Sequence, residues 1–216
     1  MNDPISGRVT GVVLAGGRGR RFGGDKLAVR IGGVPLLELA LRALASVCDE
    51  LVLVVAASSA SASTRLVIPD GLPIPLVVVA DVEPDRGPLL GLATGLGAAH
   101  HPTVIVVGAD MPGLVPEVVR LLVQRIAAGA PGAVLADGTG SRPLPLALQR
   151  DVGRARATDI LRSGGASLRA LVTALPASVV GVREWRALDP AAATLMDVDS
   201  PEDLAEARRL LHPDRG

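Results

Sequence analysis

The chain has 216 residues, of which 49% are hydrophobic and 1% are aromatic, so it can bury a large core but lacks the stacked aromatic platform used on single-stranded nucleic acid. Lys plus Arg and Asp plus Glu each number 22, which leaves no net charge to attract a polyanion. One cysteine excludes an internal disulfide, and no apolar run approaches the roughly 20 residues that span a bilayer, so we expect a cytoplasmic protein that binds neither nucleic acid nor membrane.

Short segments rich in Val, Leu and Ile alternate with longer segments of helical periodicity. The predicted elements, in chain order, are the strand Val9–Leu14, a helix Pro35–Val47, the strands Leu51–Val55 and Leu76–Ala80, a helix Leu89–Ala99, the strand Thr103–Val107, a helix Val115–Ala128, the strands Ala133–Ala136 and Leu144–Leu148, helices Gly153–Arg162 and Ser167–Ala174, the strand Val179–Val182, and a helix capped by Ser200 that ends near Leu211.

The predicted strands are almost uniformly apolar, which is typical of a sheet covered by helices on both faces. The pattern therefore predicts an α/β fold with three α/β/α layers and a mostly parallel sheet. No linker or repeat divides the chain, so residues 1–216 are predicted to form a single domain. In such sheets ligands bind in a crevice at the carboxyl ends of the strands.

The segment after the first predicted strand combines repeated glycines with clustered basic side chains. Glycines let main-chain amides approach an anion closely, and successive amides form a concave anion site. The glycines are Gly16, Gly17, Gly19, Gly23 and Gly24, and the cations are Arg18, Arg20, Arg21 and Lys26. The spacing fits neither a P-loop nor a dinucleotide fingerprint, because Asp25 separates Gly24 from Lys26 and Phe22 replaces the last glycine. A triphosphate-binding loop is predicted, and a surface turn with solvated arginines is the alternative.

Acidic side chains follow two of the predicted strands. Asp110 comes shortly after Thr103–Val107, where its carboxylate is expected to face the crevice and hold Mg²⁺, which prefers oxygen ligands. Asp81 directly follows Leu76–Ala80, and a turn from Gly87 to Gly91 then starts the next helix. The alternatives are a turn or capping role for Asp110 and a plain loop position for Asp81.

The glycine-rich segment resembles the signature of the nucleoside-triphosphate transferases related to molybdenum cofactor guanylyltransferase. The resemblance spans nearly the whole chain and implies a Rossmann-like nucleotidyltransferase fold. The matching segments are Leu14–Lys26, Asp81, Gly87–Leu92, Gly108–Pro112 and Asp197–Leu204. The first segment is shared by transferases of different specificity, whereas the whole set in this order is more selective.

The family resemblance implies roles for individual residues. It implies that Lys26 and Asp110 are the catalytic residues and that Asp110 ligates magnesium. The residues that it implies for nucleotide binding are Leu14, Ala15, Gly16, Gly17, Arg18, Gly19, Arg21, Lys26, Asp81, Gly87, Pro88, Gly91 and Asp110.

The implied reaction transfers GMP from GTP to the terminal phosphate of molybdopterin (the molybdenum cofactor), which releases pyrophosphate and forms molybdopterin guanine dinucleotide. GTP and molybdenum cofactor are then the partners, together with molybdoenzyme apoproteins or other cofactor-biosynthesis proteins. The alternatives are a CTP-dependent molybdenum cofactor cytidylyltransferase and a sugar- or polyol-phosphate nucleotidyltransferase. A nucleotide-binding regulatory module without catalysis predicts the loss of Lys26 or Asp110, and both are present.

The sequence departs from the family at two places. Val54 stands where the family's guanylyltransferases can place an asparagine that touches the nucleotide, so the base specificity stays open. Asp197 and Asp199 stand where amides are usual, which leaves a second metal ligand open. Arg142 and residues 163–169 are further candidates for contact with the acceptor, with a structural role as the alternative.

Overall fold

The computed structural model describes residues 7–15, 29–56, 68–81, 83 and 86–211. The strands in these ranges are β1 (Val9–Leu14), β2 (Arg30–Ile31), β3 (Val34–Pro35), β4 (Glu50–Ala56), β5 (Leu76–Asp81), β6 (Thr103–Gly108), β7 (Gly132–Ala136), β8 (Ser141–Gln149) and β9 (Ser178–Val180). The helices are α1 (Leu36–Ala45), α2 (Pro88–Ala98), α3 (Pro116–Ala127), α4 (Arg150–Arg162), α5 (Leu168–Ala174), α6 (Val182–Arg186) and α7 (Pro201–Leu211), with a 3-10 turn at Ala193–Leu195. Within the described ranges, none of the helices has the length and apolar character needed to cross a membrane.

Seven strands form one sheet in the spatial order β5-β4-β1-β6-β8-β7-β9. The pairs along β5, β4, β1 and β6 are parallel, β8 runs antiparallel to both β6 and β7, and β7 pairs in parallel with β9. β2 and β3 form a separate antiparallel hairpin. The predicted α/β fold with a mostly parallel sheet is confirmed, and the single-domain organisation of residues 1–216 stays a prediction.

Successive side chains of the central strands are buried in opposite layers of the molecule. Val13 of β1 packs in the layer that contains α1 and α3, whereas Val12 packs in the layer that contains α2, α4 and α5, and neither side chain is exposed. Burial of one such aliphatic side chain is worth roughly 1.5–3 kcal/mol. An uninterrupted apolar strand is therefore required here, because both of its faces are covered.

The structure corrects the sequence-based elements in three places. The predicted strand Val179–Val182 ends at Val180, because Val182 begins α6, which buries Trp185. β8 begins at Ser141 and not at Leu144, and the added residues include Pro143, a residue type that disfavours a strand assignment. The β2–β3 hairpin was missed, although its Gly32-Gly33 turn, with φ of 57° and 86°, is the two-residue glycine signal for a hairpin.

Candidate active site

Backbone hydrogen bonds join the carboxyl ends of three neighbouring strands. The Ala15 N–H donates to the Val54 carbonyl of β4 at 2.8 Å, and the Ala109 N–H donates to the Leu14 carbonyl of β1 at 3.0 Å. Ala15, the last described residue before residues 16–28, is thereby held beside both β4 and the end of β6. The predicted phosphate-binding residues Gly16, Gly17, Arg18, Gly19, Arg21 and Lys26 lie outside the described residues.

Asp110 lies at the end of β6, in the turn that leads to α3. It is half-buried, and its Oδ1 lies over Gly108, where a Cβ would collide with it. Two hydrogen bonds close this turn. The Gly108 N–H donates to the Met111 Sδ at 3.3 Å, and the Met111 N–H donates to the Gly108 carbonyl. The absence of a side chain at residue 108 therefore sets the position of the Asp110 carboxylate.

The segment before α7 is fastened to the same turn. The Val198 N–H donates to the Asp110 carbonyl at 3.0 Å, which brings the aspartates on either side of Val198 next to the end of β6. Asp197 Oδ2 forms an ion pair with Arg142 Nη2 at 2.6 Å, and each side chain is 35% exposed. The structure thus places the Asp197–Asp199 segment beside the Asp110 turn, and it pairs Arg142 with an aspartate of this segment.

The predicted cap of α7 is confirmed in atomic detail. Ser200 Oγ accepts from the Asp203 N–H at 3.1 Å, while Asp203 Oδ2 accepts from the Asp199 and Ser200 N–H groups at 3.0 and 2.8 Å. This reciprocal capping arrangement satisfies the Ser200 and Asp203 N–H groups at the helix start. It also fixes the backbone of Asp199 beside the Asp110 turn.

Asp81 ends β5 and is buried against the first turns of α2. Its Oδ1 accepts from the Glu83 N–H at 3.1 Å, and its Oδ2 lies 3.4 Å from the position that a Cβ of Gly91 would occupy. The family resemblance implies that Gly87 and Gly91 bind the nucleotide. In the structure, a Cβ at Gly87 (φ 87°) would lie 2.7 Å from the Ala166 carbonyl oxygen, so the chain's own atoms fill the Cβ side of both glycines.

Pro88 is the first residue of α2, a position where its missing N–H costs no hydrogen bond. The next donor, the Leu89 N–H, is bonded to the Ala166 carbonyl at 3.2 Å. Ala166, within the candidate segment 163–169, therefore packs on the start of α2, and contact of that segment with the acceptor stays a prediction. Contact of Gly87, Pro88 and Gly91 with a nucleotide stays a prediction.

Val54 points away from the crevice. Its side chain is 1% exposed, and its methyl groups lie 3.7 and 3.0 Å from the Cβ positions of Gly91 and Gly95 on α2. Only its carbonyl reaches the strand ends, through the bond from Ala15. Recognition of a base by the residue 54 side chain is thus replaced here by packing in the core.

The chain matches the MobA-like NTP transferase domain over residues 11–179. The chain belongs to this family. The predicted membership is confirmed, and with it the prediction that the chain is a nucleotidyltransferase.

A relative extends this MobA-like assignment along nearly the whole chain, and solved structures share the fold. A probable molybdenum cofactor guanylyltransferase from Chloroflexus aggregans is 34% identical over 207 residues, which cover 93% of this chain and 94% of the relative. The structure of molybdopterin-guanine dinucleotide biosynthesis protein A from Archaeoglobus fulgidus covers 94% of this chain and 98% of its own, with a TM-score of 0.76 and 20% identity. The fold is also similar to that of Rv0371c from Mycobacterium tuberculosis H37Rv in complex with manganese, with a TM-score of 0.64, 20% identity, and coverage of 94% and 98%.

The carboxyl edge of the sheet has the donor chemistry of a divalent-metal site of the kind that nucleotidyltransferases typically use. The described residues contain no group of three or more His, Cys, Asp or Glu side chains that could hold a metal ion. Mg²⁺ does not require such a group, because it is usually held by one or two carboxylates together with substrate phosphates and water. A single carboxylate such as that of Asp110 is therefore enough for a divalent ion that phosphates also hold, and Mg²⁺ at this position stays a prediction.

The opposite edge of the sheet contains a polar cluster that the sequence reading missed. Glu50 is buried, and it accepts from the Thr10 hydroxyl, the His100 N–H at 2.7 Å and the His100 Nδ1 at 2.9 Å. Burial raises the pKa of the Glu50 carboxyl, but the hydrogen bonds from Thr10 and His100 lower that pKa more, so it lies below its ordinary value. The sequence indicated this cluster only through Glu50, an acidic residue at the first position of an otherwise apolar strand.

Proposed function

We propose that this MobA-like protein transfers GMP from GTP to the terminal phosphate of molybdopterin, with release of pyrophosphate and formation of molybdopterin guanine dinucleotide. The observation that supports this most strongly is the convergence of the Leu14–Ala15 strand end, Asp110 and the 197–199 segment at one edge of the sheet. The relatives that align over nearly the whole chain are named for the same reaction.

In the proposed reaction a phosphate oxygen of the acceptor attacks the α-phosphorus of GTP, the bond from that phosphorus to the bridging oxygen breaks, and pyrophosphate leaves with the electron pair. The acceptor is a phosphomonoester with a second pKa of about 6, so it is mostly ionised at neutral pH and needs no base. This chemistry requires positioning and charge stabilisation but no nucleophilic side chain.

We assign the chain's residues three tasks. Residues 16–19, with Lys26, bind the triphosphate and stabilise the charge that develops on the departing phosphates. Asp110 holds Mg²⁺, which supplies Lewis-acid stabilisation of the phosphate oxygens when bound. Asp81 stays a proposed nucleotide contact at the start of α2.

The acceptor and the base are the parts of the proposal that most need a test. The purified protein is incubated with Mg²⁺, molybdenum cofactor and each of the four nucleoside triphosphates, and pyrophosphate release is followed. We expect release with GTP and a large loss of rate in Lys26→Ala. Preference for CTP would favour the cytidylyltransferase. Parallel incubations replace molybdenum cofactor with a sugar or polyol phosphate, and release only in these would show that molybdopterin is not the acceptor. A Lys26→Ala rate equal to that of the unaltered protein would contradict the assigned role of the loop.

Delivery of the product to molybdoenzyme apoproteins, or contact with other cofactor-biosynthesis proteins, stays a prediction, as does a cytoplasmic location. Co-purification of the protein with a molybdoenzyme apoprotein in the presence of the product would support such a contact, and its absence under those conditions would count against it.

A further inference from the structure

A buried carboxylate with no part in the proposed chemistry lies at the start of residues 189–198, which we call the strap. Asp189 is 3% exposed, its Oδ1 accepts from the Ala193 N–H at 3.1 Å, and its Oδ2 accepts from the Thr194 N–H at 2.8 Å. Ala192, which lies in the turn between Asp189 and Ala193, has φ 56° and ψ 28°, in the left-handed region that an alanine rarely adopts. The two hydrogen bonds to Asp189 therefore hold a turn that the sequence would not favour by itself.

The turn held by Asp189 packs directly on the Asp110 loop, residues 109–115. Thr194 is fully buried, and its Oγ1 accepts from the Val115 N–H at 3.2 Å, just before α3 begins. A Cβ at Gly113 would overlap the Ala193 carbonyl group, so the two backbones are in close contact. The strap therefore contacts the carboxyl-terminal end of the Asp110 loop through a hydrogen bond at Val115 and close packing at Gly113.

The other end of the strap reaches Asp110 itself. The Val198 N–H donates to the Asp110 carbonyl at 3.0 Å, and Val198 is fully buried with Ile31, Leu36 and Leu204. The Asp110 loop is thus held from the strap at Asp110, Gly113 and Val115. Release of the turn at Ala193 and Thr194 removes two of these three contacts and leaves the Asp110 carbonyl contact with less support.

We propose that Asp189 is a positioning residue for the metal-binding carboxylate of Asp110, acting through the strap. This inference rests on the proposed role of Asp110 in the transferase reaction. When the Asp189 carboxylate is lost, two buried N–H groups lose their acceptors, the turn opens, and the Asp110 loop becomes free to shift. A carboxylate that must meet both a metal ion and a triphosphate is sensitive to such shifts, since residues that orient metal ligands commonly change metal affinity by about 10- to 100-fold.

The test compares Asp189→Ala and Asp189→Asn with Glu50→Ala as a matched control. Glu50 is likewise a buried carboxylate that accepts a main-chain N–H, but it lies at the amino end of the sheet. The fluorescence of Trp185, the only tryptophan of the chain, reports that each variant is folded. The asparagine variant keeps one oxygen acceptor and is expected to give an intermediate result. It also serves as the test if the alanine variant does not fold.

Two measurements are made on each folded variant. The first is amide hydrogen exchange without nucleotide, in which we expect Val115 and Val198 to exchange about tenfold faster or more in Asp189→Ala but not in Glu50→Ala. The second is titration with Mn²⁺ in the presence of a non-hydrolysable GTP analogue, followed by electron paramagnetic resonance. Here we expect the dissociation constant for Mn²⁺ to rise by about tenfold or more in Asp189→Ala and to stay unchanged in the control.

Unchanged exchange at Val115 and Val198, or equal Mn²⁺ affinity in the Asp189 and Glu50 variants, would overturn the positioning role. Failure of the proposed function itself would give another result, which is seen in the unaltered protein. If the unaltered protein does not bind Mn²⁺ with the analogue, the role of Asp110 itself is wrong and the inference falls with it. The exchange data would then still show whether Asp189 holds the strap.

Discussion

Two of the three glycines of helix α2, Gly95 and Gly97, have opposite surroundings, so one substitution can be compared with the other. A Cβ at Gly95 would lie 2.6 Å from Val12 Cγ1 and 3.0 Å from Val54 Cγ2, whereas a Cβ at Gly97 meets no atom within 4 Å. Val12 belongs to the central strand β1 and is fully buried, so it has little room to move. Gly95→Ala is therefore expected to destabilise the protein and Gly97→Ala to stabilise it.

The size of the difference follows from two opposing terms. Glycine to alanine in a helix gains up to about 1 kcal/mol through backbone entropy, and less near the helix end where Gly97 lies. Adding a methyl group to a filled core costs about 1–3 kcal/mol, which applies to Gly95 alone. The free energies of unfolding of the two variants should thus differ by about 1–3 kcal/mol, with Gly97→Ala the more stable.

The assay is equilibrium unfolding in urea followed by the fluorescence of Trp185, with the slope of the transition compared between variants. If Gly95→Ala proves as stable as Gly97→Ala, then α2 does not approach the sheet as closely as described. In that case the packing of Gly91 against the sheet would also need revision, because Gly91 lies four residues before Gly95 and likewise faces Val54.

Three further predictions concern the site and the pH dependence. In Gly108→Ala the new methyl group displaces the Asp110 carboxylate, so pyrophosphate release should fall by about 100-fold. A rate within about twofold of that of the unaltered protein would show that the absence of a side chain at residue 108 does not set the position of this carboxylate. A double-mutant cycle of Arg142→Gln and Asp197→Asn, measured by urea unfolding, should give a coupling energy of about 0.2–1 kcal/mol. This energy should decrease with added salt, because both side chains are about one-third exposed and salt screens their charges. Zero coupling at low salt would show that the two side chains form no ion pair in solution. The pKa of the Glu50 carboxyl is lowered in the folded state, so the ionised carboxylate stabilises the fold above the unfolded-state pKa, and this stabilisation is lost as the pH falls through the folded-state pKa. Glu50→Gln should therefore remove part of the loss of unfolding free energy at acid pH. An unchanged dependence of the unfolding free energy on pH in this variant would refute the prediction.

The framework of the fold could be predicted because it depends on local signals. Uniformly apolar strands such as β1 and β6 required two covering layers, and the Ser200–Asp203 capping pattern marked the start of α7. The position of Asp110 at a strand end followed from the same pattern. These features depend on residues that are near one another in the sequence or on one simple periodicity.

The contacts that organise the site could not be predicted in this way. Arg142 and Asp197 are 55 residues apart, and Thr194 and Val115 are 79 apart, so no local pattern connects them. The strap has neither helical nor alternating periodicity, and its order depends on the buried Asp189. Family resemblance identified Asp197 as a departure, but only the fold supplied its partner.

The proposed reaction requires attack on the α-phosphorus of GTP. This can be tested with GTP labelled separately at the α- and γ-phosphorus and supplied with molybdenum cofactor and Mg²⁺. We expect the α label to enter the molybdopterin product, the γ label to leave as pyrophosphate, and Asp110→Asn to slow both by about 100- to 1000-fold. Transfer of the γ label to the acceptor, or an unchanged rate in Asp110→Asn, would contradict it.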